Sequence, residues 1–328
     1  MVKNRLIWPL LLVIIASGLD RLLGDPPHWP HPVMAMGALI KLWRSWAEAW
    51  AGHSPWRLRL GGFVITTLLL LGSGLAGWLI ERLALAKPWA MPLLLIAMAS
   101  CLAGRSLALA VRAVLEPLAS QPDDLAVARE RLGWIVGRDT AGLNQMEILR
   151  ATAETASENG VDGLFAPLFW LLLGALLWCA GLTEWPGPLA LAWGFKASST
   201  LDSMLGYRRG RLRWLGTAGA RLDDLLVWLP SRLVALSLGE LWAACRDGKA
   251  DASPNAGVSQ AAYAYALNIQ LGGLNYYEGE AINKPILNRG GNVVNSDAVL
   301  AILRINQWLA LQWQLISLIL VGAFVGWK

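Results

Sequence analysis

The chain has 328 residues, of which 55% are hydrophobic and only 16% charged, with a formal net charge of +5. Soluble domains carry about 25% charged residues, so composition excludes the two or three soluble domains that the length would allow. The basic balance does not mark a nucleic-acid surface either, because Lys and Arg are scattered over loops between apolar runs, as positive-inside bias requires.

In chain order, Lys3 and Arg5 precede an apolar stretch at 6–19, as in a signal peptide. No small-residue cleavage site follows, and the run ends instead in Asp20-Arg21-Leu22-Leu23-Gly24-Asp25-Pro26-Pro27, so we read it as an uncleaved anchor or a buried helix. Residues 60–80 and 163–183 are uncharged and long enough to cross a bilayer, which takes about 20 residues. Residues 88–104 are shorter but extend past Arg105 by snorkelling, and 305–327 is long enough although Asn306, Gln307, Gln312 and Gln314 make its first half polar. Trp78, Trp89, Trp185 and Trp327 stand at the ends of these runs, as interfacial rings do. The expectation is one all-α, polytopic integral membrane domain over 1–328, with about four to six membrane-embedded helices and the bilayer as partner.

Chemistry must come from the polar stretches 20–59, 105–162 and 196–304. To build one site they must share a membrane face, which makes 185–195, too short to span, a re-entrant segment. Strand signals are weak throughout. Asn144 and Glu147 have the spacing of a capping box, predicting a helix that runs to about Asn159 and stops at Gly160. A second helix is predicted from the 253–257 loop to near Gly272.

Glu147, Glu154 and Glu158 share one face of the first of these helices. Glu154 and Glu158 form a like-charge i,i+4 pair, unfavourable by roughly 0.2–0.5 kcal/mol, and the predicted stop places them at the negative end of the helix dipole. Either Arg150 relieves them on a solvated face, or they hold a cation: magnesium with nucleotide phosphates, or an amine. The stretch from Lys196 to Tyr207 gathers a lysine, hydroxyls and Asp202 at a membrane edge, a pattern that N-capping also explains. Arg221, Asp223, Asp224 and Arg232 read equally as an Arg–Asp network or a metal site. Ser253-Pro254-Asn255-Ala256-Gly257 reads as an anion cradle or a plain cap.

Other patterns fail. Gly72-Ser-Gly-Leu-Ala-Gly77 matches a dinucleotide fingerprint but lies inside an apolar run, where small-residue helix packing explains it. Gly137-Arg-Asp-Thr-Ala-Gly142 begins like a P-loop and then lacks its Lys and Ser/Thr. His28, His31 and His53 are the only histidines, too few and too separated for zinc, and Cys101, Cys179 and Cys245 read as packing residues.

Taken together and in order, several motifs resemble one family. They are Asp20-x4-Asp25-Pro26 with Pro30-His31-Pro32-Val33, Gly137-Arg138-Asp139-Thr140, and Glu154-Thr-Ala-Ser-Glu158-Asn159-Gly-Val-Asp162-Gly163 with Ala166-Pro167-Leu168-Phe169. Lys196 to Tyr207, Arg221-Leu-Asp223-Asp224, Ser253 to Gly257 and Gly272-Gly273-x-Asn275-Tyr276-Tyr277 continue the series. The family is adenosylcobinamide-phosphate synthase, a membrane enzyme of cobalamin biosynthesis.

The resemblance implies ATP- and magnesium-dependent amide ligation of adenosylcobyric acid, a corrinoid, with (R)-1-amino-2-propanol O-2-phosphate. It implies a bacterial inner-membrane protein with its site on the cytoplasmic side. On that basis Glu154, Glu158 and Asp162 ligate magnesium or deprotonate the amine. Lys196, Arg221, Ser253, Asn255 and Gly257 grip phosphates. Asp202 is a further catalytic acid, and it joins Asp223 and Asp224 as the second set for metal. Arg138 and Asp139 contact either substrate. The competing readings are a non-catalytic membrane sensor of the same fold, against which the intact acids speak, and a small-molecule transporter, against which the absence of an inverted repeat speaks.

Overall fold

The structure, a computed structural model, describes residues 7–25, 31–121 and 124–327, with side chains through 323. Lys3, Arg5, His28, the prolines at 26, 27 and 30 and the side chain of Trp327 lie outside the described residues.

Fourteen described α-helices and one hairpin follow in chain order. They are α1 (Trp8–Leu23), α2 (Pro32–Ala51), α3 (Pro55–Ala86), α4 (Met91–Ala99), α5 (Gly104–Ser120), α6 (Ala126–Gly133) and α7 (Gln145–Gly160). Next come α8 (Ala166–Cys179), α9 (Pro188–Leu205), α10 (Leu212–Leu215), α11 (Thr217–Ser237), α12 (Leu241–Gly248) and α13 (Ala256–Ala266). Strands β1 (Leu271–Tyr277) and β2 (Glu280–Leu287) precede α14 (Ser296–Trp327). Among the described residues, three helical stretches are long and apolar enough to cross a membrane: Pro55–Ala86, Pro88–Ser120 and Gln145–Cys179. The chain is a helical membrane protein.

It folds into two compact units. The first comprises the chain through Ala103, Ala166–Leu226 and the chain from Gln312 onward; the second comprises Gly104–Phe165 and Val227–Leu311.

In the first unit, α3 packs against α9. Gly77 permits the approach, since a Cβ there would lie 2.8 Å from the Ala190 Cα; this is the small-residue contact expected of the 72–77 run. Close by, Glu81 is fully buried and its carboxylate accepts hydrogen bonds from the backbone N–H groups of Gly187 (2.9 Å), Leu189 (2.7 Å) and Ala190 (3.1 Å). A helix that starts away from water leaves its first N–H groups without partners. Glu81 satisfies three of them at α9, and its negative charge suits the positive end of that helix.

In the second unit, the capping box forms as expected. Asn144 Oδ1 accepts from the Glu147 N–H at 3.0 Å, and Glu147 Oε2 accepts from the Asn144 N–H at 2.8 Å. Asn144→Ala is expected to cost about 1 kcal/mol, seen as a lower midpoint in chemical unfolding.

Gly160 does not end this helix. The backbone continues through a π turn at Val161–Phe165 into α8. Gly160 keeps right-handed geometry and is needed instead for space, because a Cβ would sit 2.7 Å from Asn306 Nδ2. Glu154 and Glu158 therefore do not lie at the negative end of a helix dipole, contrary to the expectation.

The helix predicted to reach Gly272 stops at Ala266, and an antiparallel hairpin follows. Its two-residue turn, Glu278-Gly279, has positive φ at both positions (53° and 82°), the pattern of a type I′ turn. Gly272 and Gly273 also have positive φ (85° and 97°) at an irregularity in the pairing. A side chain at Gly272 would collide with the Pro285 carbonyl.

Candidate active site

The hairpin is held to α7 by a buried ionic clamp. Glu154, 1% exposed, pairs with Arg138 at 2.5 Å and with Arg150 at 3.8 Å, and its Oε1 accepts from the Gly272 N–H at 2.8 Å. Arg150 also donates to the carbonyls of Gly272 and, at 2.9 Å, Leu274. Arg138 Nη1 donates to Asn275 Oδ1 at 2.8 Å. At the far end of the hairpin, Asp139 accepts from the Glu278 and Gly279 N–H groups (3.2 and 2.8 Å), while its own N–H donates to the Tyr276 carbonyl. Asp139 and Glu154, expected to meet substrate or metal, are thus engaged by the hairpin backbone, and Arg138 by the side chains of Glu154 and Asn275.

One turn further along α7 the partners change. Half-buried Glu158 accepts a hydrogen bond from Gln260 Nε2 of α13 at 2.6 Å. Lys284 of β2 lies 3.7 Å from Asp251 and is electrostatically coupled to Glu158. Burial works against the charge on Lys284, but Glu158 and Asp251 outweigh it and hold the ammonium group above its ordinary pKa. Lys284 is therefore charged at neutral pH, with Asp251 as its ion-pair partner. Asp162 lies half-buried in the π turn that follows. Such turns are frequent at functional sites, because they break the regular spacing of side chains along a helix.

The 253–257 loop does open a helix, yet protein groups occupy its N–H groups. Ser253 Oγ accepts from the N–H of Asn255 (3.3 Å) and Ala256 (3.2 Å). Arg232 donates to Asn255 Oδ1 (2.5 Å) and to the Pro254 carbonyl (2.7 Å). Gly257 serves close packing, since a Cβ there would meet the Gly248 carbonyl oxygen at 2.5 Å. This is a cap braced by an arginine; Arg232 belongs with Asn255 rather than in an Arg–Asp network.

The remaining candidates belong to the first unit. Lys196, Ser198 and Asp202 lie on α9; Arg221, which is exposed, lies with Asp223 and Asp224 on α11. Burial, then the neighbouring charges of Asp202 and Asp224, push the Asp223 carboxyl up to about 7, with Lys196 acting in the opposite sense. Asp223 Oδ1 and Ser198 Oγ are buried without hydrogen-bond partners among the described residues. Crowded carboxylates with an unsatisfied oxygen suit a cation. Among the described residues no three acidic, histidine or cysteine side chains are placed to hold a metal ion by themselves. Magnesium there would need phosphate oxygens or water to complete its shell, its usual habit.

A raised carboxylate pKa means that the folded state binds its proton more tightly than the unfolded one. Stability from this group is present at acid pH and falls as pH rises from about 4 to about 7. In Asp223→Asn the decline, at most about 4 kcal/mol for a shift of this size, is expected to disappear from a pH series of thermal unfolding.

The CobD/Cbib protein family model matches residues 13–306. The chain belongs to that family. Among curated relatives, the cobalamin biosynthesis protein CobD of Synechocystis sp. is 45% identical over 297 residues, covering 87% of this chain and 84% of the relative. The cobalamin biosynthesis protein CbiB of Salmonella arizonae is 39% identical, covering 89% and 91%, and CobD of Klebsiella pneumoniae is 40% identical, covering 97% of each chain. No solved structure matches.

Within this family member, three of the motifs that carried the resemblance meet in one structural feature. Gly137–Thr140 and Gly272–Tyr277 are the two sides of the hairpin clamp, and Glu154 joins them. Lys284, Gln260 and Asp251 were not singled out from the sequence. The signal available was Glu278-Gly279 between Asn275-Tyr-Tyr and Ala281-Ile-Asn, a two-residue hairpin loop whose second strand would bring Lys284 back toward α7.

Proposed function

We propose that this chain acts in cobalamin biosynthesis as an ATP-dependent ligase. It would join a carboxylate of adenosylcobyric acid to the amine of 1-amino-2-propanol phosphate, giving adenosylcobinamide phosphate. The names of its relatives support the pathway. One observation carries the chemistry: Gln260 anchors Glu158 at 2.6 Å, and Lys284, paired with Asp251 at 3.7 Å, is electrostatically coupled to Glu158 from a separate element.

Amide formation from a free acid needs the acid activated and the amine deprotonated. The corrinoid carboxylate oxygen attacks the γ-phosphorus of ATP, forming an acyl phosphate and releasing ADP. The amine nitrogen then attacks the acyl carbon, the C–O bond to phosphate breaks, and inorganic phosphate leaves. Glu158 holds the substrate ammonium and accepts its proton, a contribution worth about 10²–10⁴ in rate. Lys284 offsets negative charge on the departing phosphate. In the first unit, taken by itself, Asp223 with Asp224 would hold a magnesium ion whose shell water or phosphate oxygens complete.

The test uses the full chain purified in detergent, supplied with ATP, magnesium and each acceptor alone or together. ADP release that requires both adenosylcobyric acid and aminopropanol phosphate is the expected result. Binding of both without ADP release would contradict the ligase reading and favour a sensor.

A further inference from the structure

One end of the first unit carries a concentration of positive charge that no step of the ligation uses. Arg57 and Arg59 project from the first turns of α3, and Arg208, Arg209, Arg211 and Arg213 from the link between α9 and α11; all six are exposed. Lys41 and Arg44 of α2 join them. Residues 41–59 and 207–214 hold eight lysines and arginines against a single acid, Glu48, giving a net +7 that exceeds the +5 of the entire chain. Arg44 already pairs with Glu48 at 2.7 Å.

Aromatic rings interleave with these cations. Arg59 and Arg213 both lie over Trp214, 4.4 and 4.9 Å from its centroid; Arg57 lies 5.8 Å over Trp50 and Arg209 5.3 Å over Tyr207. A guanidinium stacked on a ring keeps its N–H donors in its own plane, the fork geometry that matches phosphate oxygens. Trp46, Trp50 and Trp56 are exposed beside them, and α3 begins one of the membrane-crossing stretches. The cations are spread over α2, the start of α3 and the α9–α11 link, which favours a charged surface over a single soluble anion.

We propose that this collar binds anionic phospholipid headgroups and sets the N-terminal end of α3 against the negatively charged cytoplasmic leaflet. Trp46, Trp50 and Trp56 lie at headgroup depth, and the arginines contact lipid phosphates. The inference rests on charge and exposure in the first unit and is independent of the ligase reading.

The test is native mass spectrometry of the full chain released from nanodiscs of equimolar phosphatidylcholine and phosphatidylglycerol. The wild type is expected to retain phosphatidylglycerol over phosphatidylcholine by on the order of tenfold. The Arg57→Gln/Arg209→Gln/Arg211→Gln/Arg213→Gln variant is expected to return to the bulk ratio, and the same four changes to lysine to keep the enrichment. Should the glutamine variant fail to fold, salt titration of the wild type decides: enrichment must fall as ionic strength rises. Equal retention of both lipids, enrichment indifferent to salt, or enrichment that survives the glutamine changes would overturn the proposal. So would displacement of the lipid by inorganic phosphate beyond that by chloride at matched ionic strength, which would mark a soluble-anion site.

Discussion

Glu154→Ala is expected to destabilise the second unit by about 3–5 kcal/mol, because it strands a buried guanidinium. Arg138 is 7% exposed and keeps Asn275 as a neutral acceptor, but its charge partner is gone. The Gly272 N–H loses its acceptor as well. Thermal unfolding should show the loss globally, and hydrogen exchange should show it first in β1. Replacing both charges at once, Arg138→Met with Glu154→Leu, is expected to cost much less, since an apolar pair needs no desolvation repaid. If Glu154 were instead an uncompensated acid awaiting a cation, removing it would relieve repulsion, and a gain in stability would contradict the clamp.

Glu158→Gln is expected to behave in the opposite way. The amide can still accept from Gln260, and Lys284 keeps Asp251, so stability should stay within about 1 kcal/mol. Turnover should fall by about 10²–10⁴, because a glutamine cannot take the proton of the ammonium nucleophile. Steady-state ADP release with both acceptors present measures this directly. Unchanged turnover would remove Glu158 from the chemistry. On the proposed reading, the two glutamates, four residues apart on one helix, would separate a structural role from a chemical one.

That separation was not legible in the sequence, where Glu154 and Glu158 read as one pair on one face. Their burial and their spacing are local facts, but their partners come from far along the chain: Gly272 for one, Gln260 for the other. The reason for suspecting both acids also changed. A helix ending at Gly160 would have placed them at an unfavourable dipole end, whereas the π turn carries the helix onward. Features decided within a few residues were readable, such as the Asn144–Glu147 capping box and the Gly77 contact face. So were the long apolar runs, which need only length and composition.

The hairpin was not readable by alternation. Gly272, Gly273 and Pro285 interrupt it, and arginines of other elements supply the order that strand propensity lacks. Glu81 escaped notice for a related reason. A lone acid at the edge of an apolar run has no motif, and only the fold brings the start of α9 to its carboxylate.

Whether this chain forms the amide bond itself is read from the corrinoid product. The most direct measurement is mass spectrometry of the corrinoid after incubation of the purified full chain with adenosylcobyric acid, aminopropanol phosphate, ATP and magnesium. Adenosylcobinamide phosphate is expected with wild-type protein, little with Glu158→Gln, and none when ATP is omitted. Unaltered adenosylcobyric acid in the complete wild-type reaction, from protein that is folded and binds both substrates, would contradict the ligase reading.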